Sequence, residues 1–197
     1  MIAWSNFAVL VASSMLLLYF YIRSVSPAGR ELVVGSGAYE MCARDRVIAM
    51  FFELMTTVSY VVYYFYPLPL RLPRHFPWPW GISILIALAI GIPAVALMVK
   101  GMRDAGEEAL RPIKDQVLFG GIYDRIRHPQ AAGEVFLWWV IAFLLDSPFL
   151  VLFSFFYIPI FLIMSWAEEQ DLLLRYGESY AAYCRKTGAF FPRRAED

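Results

Sequence analysis

Five stretches of this sequence are apolar for close to the length that a bilayer crossing demands, and this restricts the fold more than any other feature. They cover residues 2–22, 47–66, 80–99, 129–145 and 148–166. In hydrocarbon every backbone N–H and C=O must be satisfied inside the chain, so stretches of about 20 apolar residues become helices. The fourth stretch is the shortest, and only Asp146 and Ser147 separate it from the fifth. The expected fold is therefore all-α: a polytopic integral membrane protein with five transmembrane helices, the last two forming a tight C-terminal helical hairpin. Of the 197 residues, 60% are hydrophobic and 17% charged, against roughly 45–50% and about 25% in soluble domains. So much of the chain is embedded that residues 1–197 are expected to form a single domain.

The first stretch does not read as a cleaved signal. Such a signal places basic residues ahead of an apolar core of about 7–15 residues, whereas here the first basic residue, Arg23, follows the run. The stretch is expected to remain as a helix. A net charge of zero conceals a strong asymmetry among the loops. With five crossings, loops one and three and the tail share a side that holds 15 lysines and arginines, and the other side holds 2. Basic residues gather on the cytoplasmic side, so the N-terminus is expected outside and the C-terminus inside. Once topology is accounted for, no basic stripe of the kind that binds nucleic acid is left. Cys42 and Cys184 both fall on the cytoplasmic side, where thiols stay reduced, and neither has metal-ligand spacing.

Two charged clusters bracket the last two helices. The first is Arg125-Ile126-Arg127-His128-Pro129, at the head of the fourth. Proline suits the first helical position, which leaves His128 near the cap, beside free backbone donors that favour anions. The second is Glu168-Glu169, just past the apolar part of the fifth. Acids near a helix C-terminus face the negative end of its dipole, so a compensating partner is implied. Arg125 or Arg127 would give a plain ion pair; a ligand's hydroxyls or cation would give a site. Loop three, residues 100–128, is far longer than the usual connection of about 2–8 residues. The tail carries Leu172, Tyr176, Tyr180 and Tyr183 at helical spacing, interrupted by Gly177 and ended by Pro192. Glu53, inside the second helix, is an intramembrane acid, free for a function or for pairing with Arg46. Trp78, Trp80 and Trp166 read as interface belts. Pro93 and Pro159 are expected to kink their helices.

Residues 112–192 resemble the isoprenylcysteine carboxyl methyltransferase and phospholipid methyltransferase group. The resemblance rests on Gly121-Ile122-Tyr123, Arg127-His128-Pro129 and Gly133. It continues through Glu168-Glu169, Tyr176-Gly177, Tyr180, Tyr183 and Phe191-Pro192. It implies S-adenosylmethionine-dependent methyl transfer to a lipophilic acceptor at the cytoplasmic membrane face, without a metal and with membrane lipid as the surrounding partner. By that likeness the cofactor meets Asp115, Gln116, Val117, Leu118 and Tyr123 from loop three. His128, Pro129, Gln130 and Ala131 meet it at the head of helix four, and Glu168 and Glu169 close it from helix five. Glu168, Glu169 and Arg127 are the catalytic candidates. The sequence departs from prenylcysteine-type members in two places. No basic residue lies in 158–167, where they resemble one another in carrying an arginine, and Gln130-Ala131-Ala132 replaces the usual Ser/Thr-Tyr. A phospholipid N-methyltransferase and a nicotinamide-dependent, sterol-reductase-like enzyme are the alternatives. An amine acceptor would need a base for its proton, a role open to either glutamate.

Overall fold

The computed structural model describes residues 1–114 and 120–193, and every regular element among them is helical. In chain order these are α1 (Ile2–Ser24), α2 (Pro27–Val34), α3 (Ala38–Phe65), α4 (Trp80–Ala105), α5 (Pro129–Leu144), α6 (Pro148–Ser154), α7 (Tyr157–Tyr176) and α8 (Glu178–Lys186). Among the described residues, four stretches are long and apolar enough to cross a membrane: Ile2–Ser24, Pro27–Phe65, Trp80–Ala109 and Pro148–Tyr176. The fourth apolar stretch of the sequence, α5, is a helix of 16 residues. It rises about 24 Å against a hydrocarbon core of about 30 Å.

Prolines set several of these boundaries. Pro27, Pro129 and Pro148 each open a helix, where a missing N–H costs nothing. Pro93 lies inside α4, which runs through it unbroken. Pro159 acts more severely than the expected kink. It cannot donate to the carbonyl of Phe155, and its ring crowds that carbonyl. The amides of Phe155, Phe156 and Ile158 bond back three residues instead of four, and the chain breaks between α6 and α7.

α1 lies along α3 and α4 along α5, while α7 touches α1, α2, α5 and α6 and so joins the two pairs. Leu10, Leu17, Tyr60, Trp138, Tyr157 and Phe161 belong to the core between them. Trp138 and Tyr157 stack with ring centroids 4.1 Å apart. Small hydroxyls fix the register: Ser14 meets the Tyr157 hydroxyl at 3.0 Å, Thr56 donates to Ser13 at 2.9 Å, and Tyr60 meets Ser154 at 3.2 Å. Each such interhelical contact contributes about 0.6 kcal/mol in a membrane setting.

Polar side chains gather at two ends. At one, Asp146 adopts a left-handed φ of 50° in the turn between α5 and α6, a conformation that aspartate tolerates. Its carboxylate accepts from Ser83 at 2.6 Å and faces His75 at 3.4 Å. Trp78 donates to Ser83, and Trp80 donates to the Leu144 carbonyl, both at 3.0 Å. At the other end loop one, loop three and the tail meet. Lys114 pairs with Glu31 at 2.6 Å, and Arg175 bridges Glu108 at 3.0 Å and Asp171 at 2.7 Å. Asp171 also accepts from the Gly29 amide at 3.1 Å.

Candidate functional site

The site is built where the end of loop three meets the tail. Asp104, on the last turn of α4, accepts from the Ile122 amide at 2.7 Å, with Lys100 at 3.5 Å behind it. This holds the short 3-10 turn Gly121–Asp124. Gly121 has φ +62°, and a methyl there would strike the Asp104 carboxylate. Beyond the turn, Ile126 pairs with Gly188 as an isolated parallel bridge. The Arg127 amide donates to the Gly188 carbonyl at 2.9 Å and the His128 amide to the Ala189 carbonyl at 3.0 Å. Tyr183 adds a hydrogen bond to the Tyr123 carbonyl at 2.6 Å. The strand-like clasp fixes the backbone of the Arg-His-Pro sequence against the segment that follows α8.

The side chains then close a four-charge cage with the glutamates of α7. Glu169 accepts from Arg127 Nε and meets His128 Nε2, both at 2.8 Å. The other imidazole nitrogen, Nδ1, lies 3.5 Å from Glu168. Burial pulls the His128 imidazole toward its neutral form. Hydrogen bonds to Glu168 and Glu169, and their charges, more than offset this and raise it to about 9. The imidazolium therefore persists at neutral pH, and Arg127 and His128 balance the two carboxylates. Arg127 also donates to the carbonyls of Cys184 and Thr187, at the open C-terminal end of α8. That end attracts cations. The anion expected at the head of α5 is thus supplied by α7.

The dipole penalty expected for Glu168 and Glu169 is small in the folded chain. α7 runs on to Tyr176, two turns past them, and the effect fades within the last turn. Arg125 is exposed and stands outside the cage.

The cage opens on a cavity of about 360 Å³, within the range of small-molecule sites. Tyr123, Arg127, His128, Pro129, Gln130 and Ala131 line it, as does Glu168 but not Glu169. Gln130 donates to the Tyr123 hydroxyl at 2.9 Å, and Tyr123 in turn donates to the Gly101 carbonyl at 3.3 Å. Asp115, Gln116, Val117 and Leu118 lie outside the described residues. Trp138 and Tyr157 belong to the stacked core, whereas Tyr123, Tyr180 and Tyr183 face the cavity.

Of the titratable cavity residues, Tyr21, Glu108 and Glu134 are absent from the sequence-based set, and Arg46 enters it only as a partner for Glu53. Tyr21 of α1 lines the wall, and its hydroxyl makes no hydrogen bond among the described residues. Arg46 donates to the Glu108 carbonyl at 2.9 Å, so it is not the partner of Glu53. Glu108 itself accepts from the Ile113 amide at 2.6 Å. Glu134, on the second turn of α5, lines the same cavity as Glu53. The reasoning that singles out Glu53 as an acid in an apolar helix applies equally to Glu134.

Compared with family models, with curated proteins and with solved structures, the chain matches none.

Proposed function

We propose that this protein is a membrane methyltransferase that takes S-adenosylmethionine from the cytoplasm and methylates a lipophilic acceptor drawn from the bilayer. In this reading α5 is a fifth crossing, and the end that carries the cage is cytoplasmic. One observation carries the proposal most. A carboxylate held by a buried imidazolium faces a cavity lined by both polar and apolar side chains. Glu168 keeps lone pairs free for hydroxyl groups such as those of a ribose. Tyr21, Tyr123, Tyr180 and Tyr183 set aromatic groups around the same space, suited to a sulfonium. When bound, the cofactor would supply an activated methyl group.

The chain's own residues bind, orient and exclude water. Alignment of two reactants alone can supply roughly 7–11 kcal/mol. His128 fixes Glu168, and Arg127 and Glu169 position the cage and the clasp. The described part of α7 between Ile158 and Ala167 brings no cation to the cavity, so a carboxylate acceptor would meet no fixed positive charge there.

The test is transfer of a radiolabelled methyl group from S-adenosylmethionine into a membrane lipid extract by the purified protein. Label should appear in an organic-soluble product and fall at least tenfold in Glu168→Gln. No transfer, together with oxidation of reduced nicotinamide by the same preparation, would replace this reading with the reductase one.

A further inference from the structure

Below the cage the cavity holds a second polar station. Glu53 from α3 and Glu134 from α5 both line the cavity. From His128 to Glu134 the helix rises about 9 Å, which sets the pair at membrane depth beneath the cage. No lysine, arginine or histidine among the described residues pairs with either acid. An intramembrane acid without a cation is costly and is kept where something charged or protic passes. Arg46, the nearest candidate on α3, is committed to the Glu108 carbonyl.

A separate observation shows where that something would enter. α3 packs on α1 and α2, and α4 packs on α5, but no comparable interface joins α3 to α4. Both nevertheless wall the cavity, α3 through Met50 and Glu53 and α4 through Met98 and Met102. Met50 is 52% exposed and Met102 40% exposed. In the membrane reading, this exposed stretch of wall between α3 and α4 would be a side window toward lipid, framed by flexible methionines. On the inner wall Tyr21 presents a hydroxyl that no described residue satisfies.

We propose that the window and the Glu53–Glu134 pair form the acceptor site, and that the acceptor is a long-chain amine whose ammonium group sits on the pair. The inference rests on the methyltransferase reading for the second substrate and names the class of the first. A carboxylate head group would face two acids and no cation. An alcohol would gain no charge-assisted bond. An ammonium gains a strong hydrogen bond to a carboxylate at a depth where water does not compete. The same carboxylate can accept one of its protons: an N–H bond breaks, an O–H bond forms, and the electron pair stays on nitrogen, where it is available as a nucleophile.

The experiment uses the full chain in phosphatidylcholine nanodiscs, with tritiated hexadecylamine as the probe in a scintillation proximity assay. Unlabelled hexadecylamine, hexadecanol and palmitate compete, so chain length is constant and only the head group varies. The amine should compete at least tenfold better than the alcohol, and palmitate should be weakest. Glu53→Gln and Glu134→Gln should each weaken amine binding ten- to a hundredfold and leave the alcohol unchanged. S-adenosylhomocysteine binding, measured on the same preparations, should fall far less than amine binding in either variant. Equal competition by the three head groups, or unaltered amine binding in both variants, would overturn the proposal. The wild-type series decides alone if a variant fails to fold. Amine preference without S-adenosylhomocysteine binding would overturn the methyltransferase reading and leave the amine site standing.

Discussion

The two adjacent glutamates of α7 should fail in opposite ways when neutralised. Glu169 receives two charge-assisted contacts on one oxygen, from Arg127 and His128, both at 2.8 Å, and its side chain is 20% exposed. Glu169→Gln removes the charge and leaves two cations facing each other. A hydrogen bond to a charged group contributes about 1.5–3 kcal/mol. With partial exposure, the loss for the pair of contacts is about 3 kcal/mol, or roughly 6–12 °C in melting temperature for a chain of this size. Glu168 has one contact, at 3.5 Å, and its side chain is 34% exposed. Glu168→Gln should cost about 1 kcal/mol or less. Its effect should fall on ligand affinity, ten- to a hundredfold, because it is the member that faces the cavity. Thiol-reactive dye melting in detergent, run with and without S-adenosylhomocysteine, separates the two. Equal destabilisation by both substitutions, or a larger loss from Glu168→Gln, would refute the division of roles.

His128 makes stability depend on pH. Its folded value, raised from 6.5 to about 9, means the contribution is complete below pH 6.5 and disappears as pH rises through 9. It amounts to about 3 kcal/mol. Melting temperature should fall across that window in the wild type and stay flatter in His128→Asn; identical profiles would contradict the cage. Gly133→Ala should pry α4 from α5, since a methyl there would meet the Ala94 carbonyl and lie 2.8 Å from the Met98 amide nitrogen. A loss of about 1–3 kcal/mol is expected, and wild-type melting would show that the helices yield. Single cysteines placed in loop three and the tail of a cysteine-free chain should resist an impermeant reagent in intact cells. Labelling of either would break the shared cytoplasmic face.

The sequence shows the apolar helices because burial in lipid demands long uninterrupted runs, and α1, α4 and α5 begin within a residue of where those runs begin. Pro129 and Gly177 mark the head of α5 and the end of α7 because their backbone preferences are local. α2 and the first turns of α3 are hidden from hydropathy. They carry charges among their apolar residues and depend on distant partners, such as the contacts of Asp45 with Arg23 at 3.0 Å and Arg30 at 2.7 Å. The convergence of Arg127, His128, Glu168 and Glu169 is legible as two clusters flanking one pair of helices. That Arg127 would also cap α8, and that Glu169 would be spent inside the cage while Glu168 faces the cavity, depends on side-chain directions that spacing does not fix. Glu53 and Glu134 come to line one cavity only because α3 and α5 both wall it, which no local pattern records.

The central claim, that the cage and cavity form a cofactor site, is tested most directly by titration calorimetry of the purified wild type with S-adenosylhomocysteine at neutral pH. Saturable one-to-one binding that weakens at least tenfold in Glu168→Gln, with the fold intact by melting, is the predicted result. No heat with the wild type, or unchanged affinity in Glu168→Gln, would contradict it.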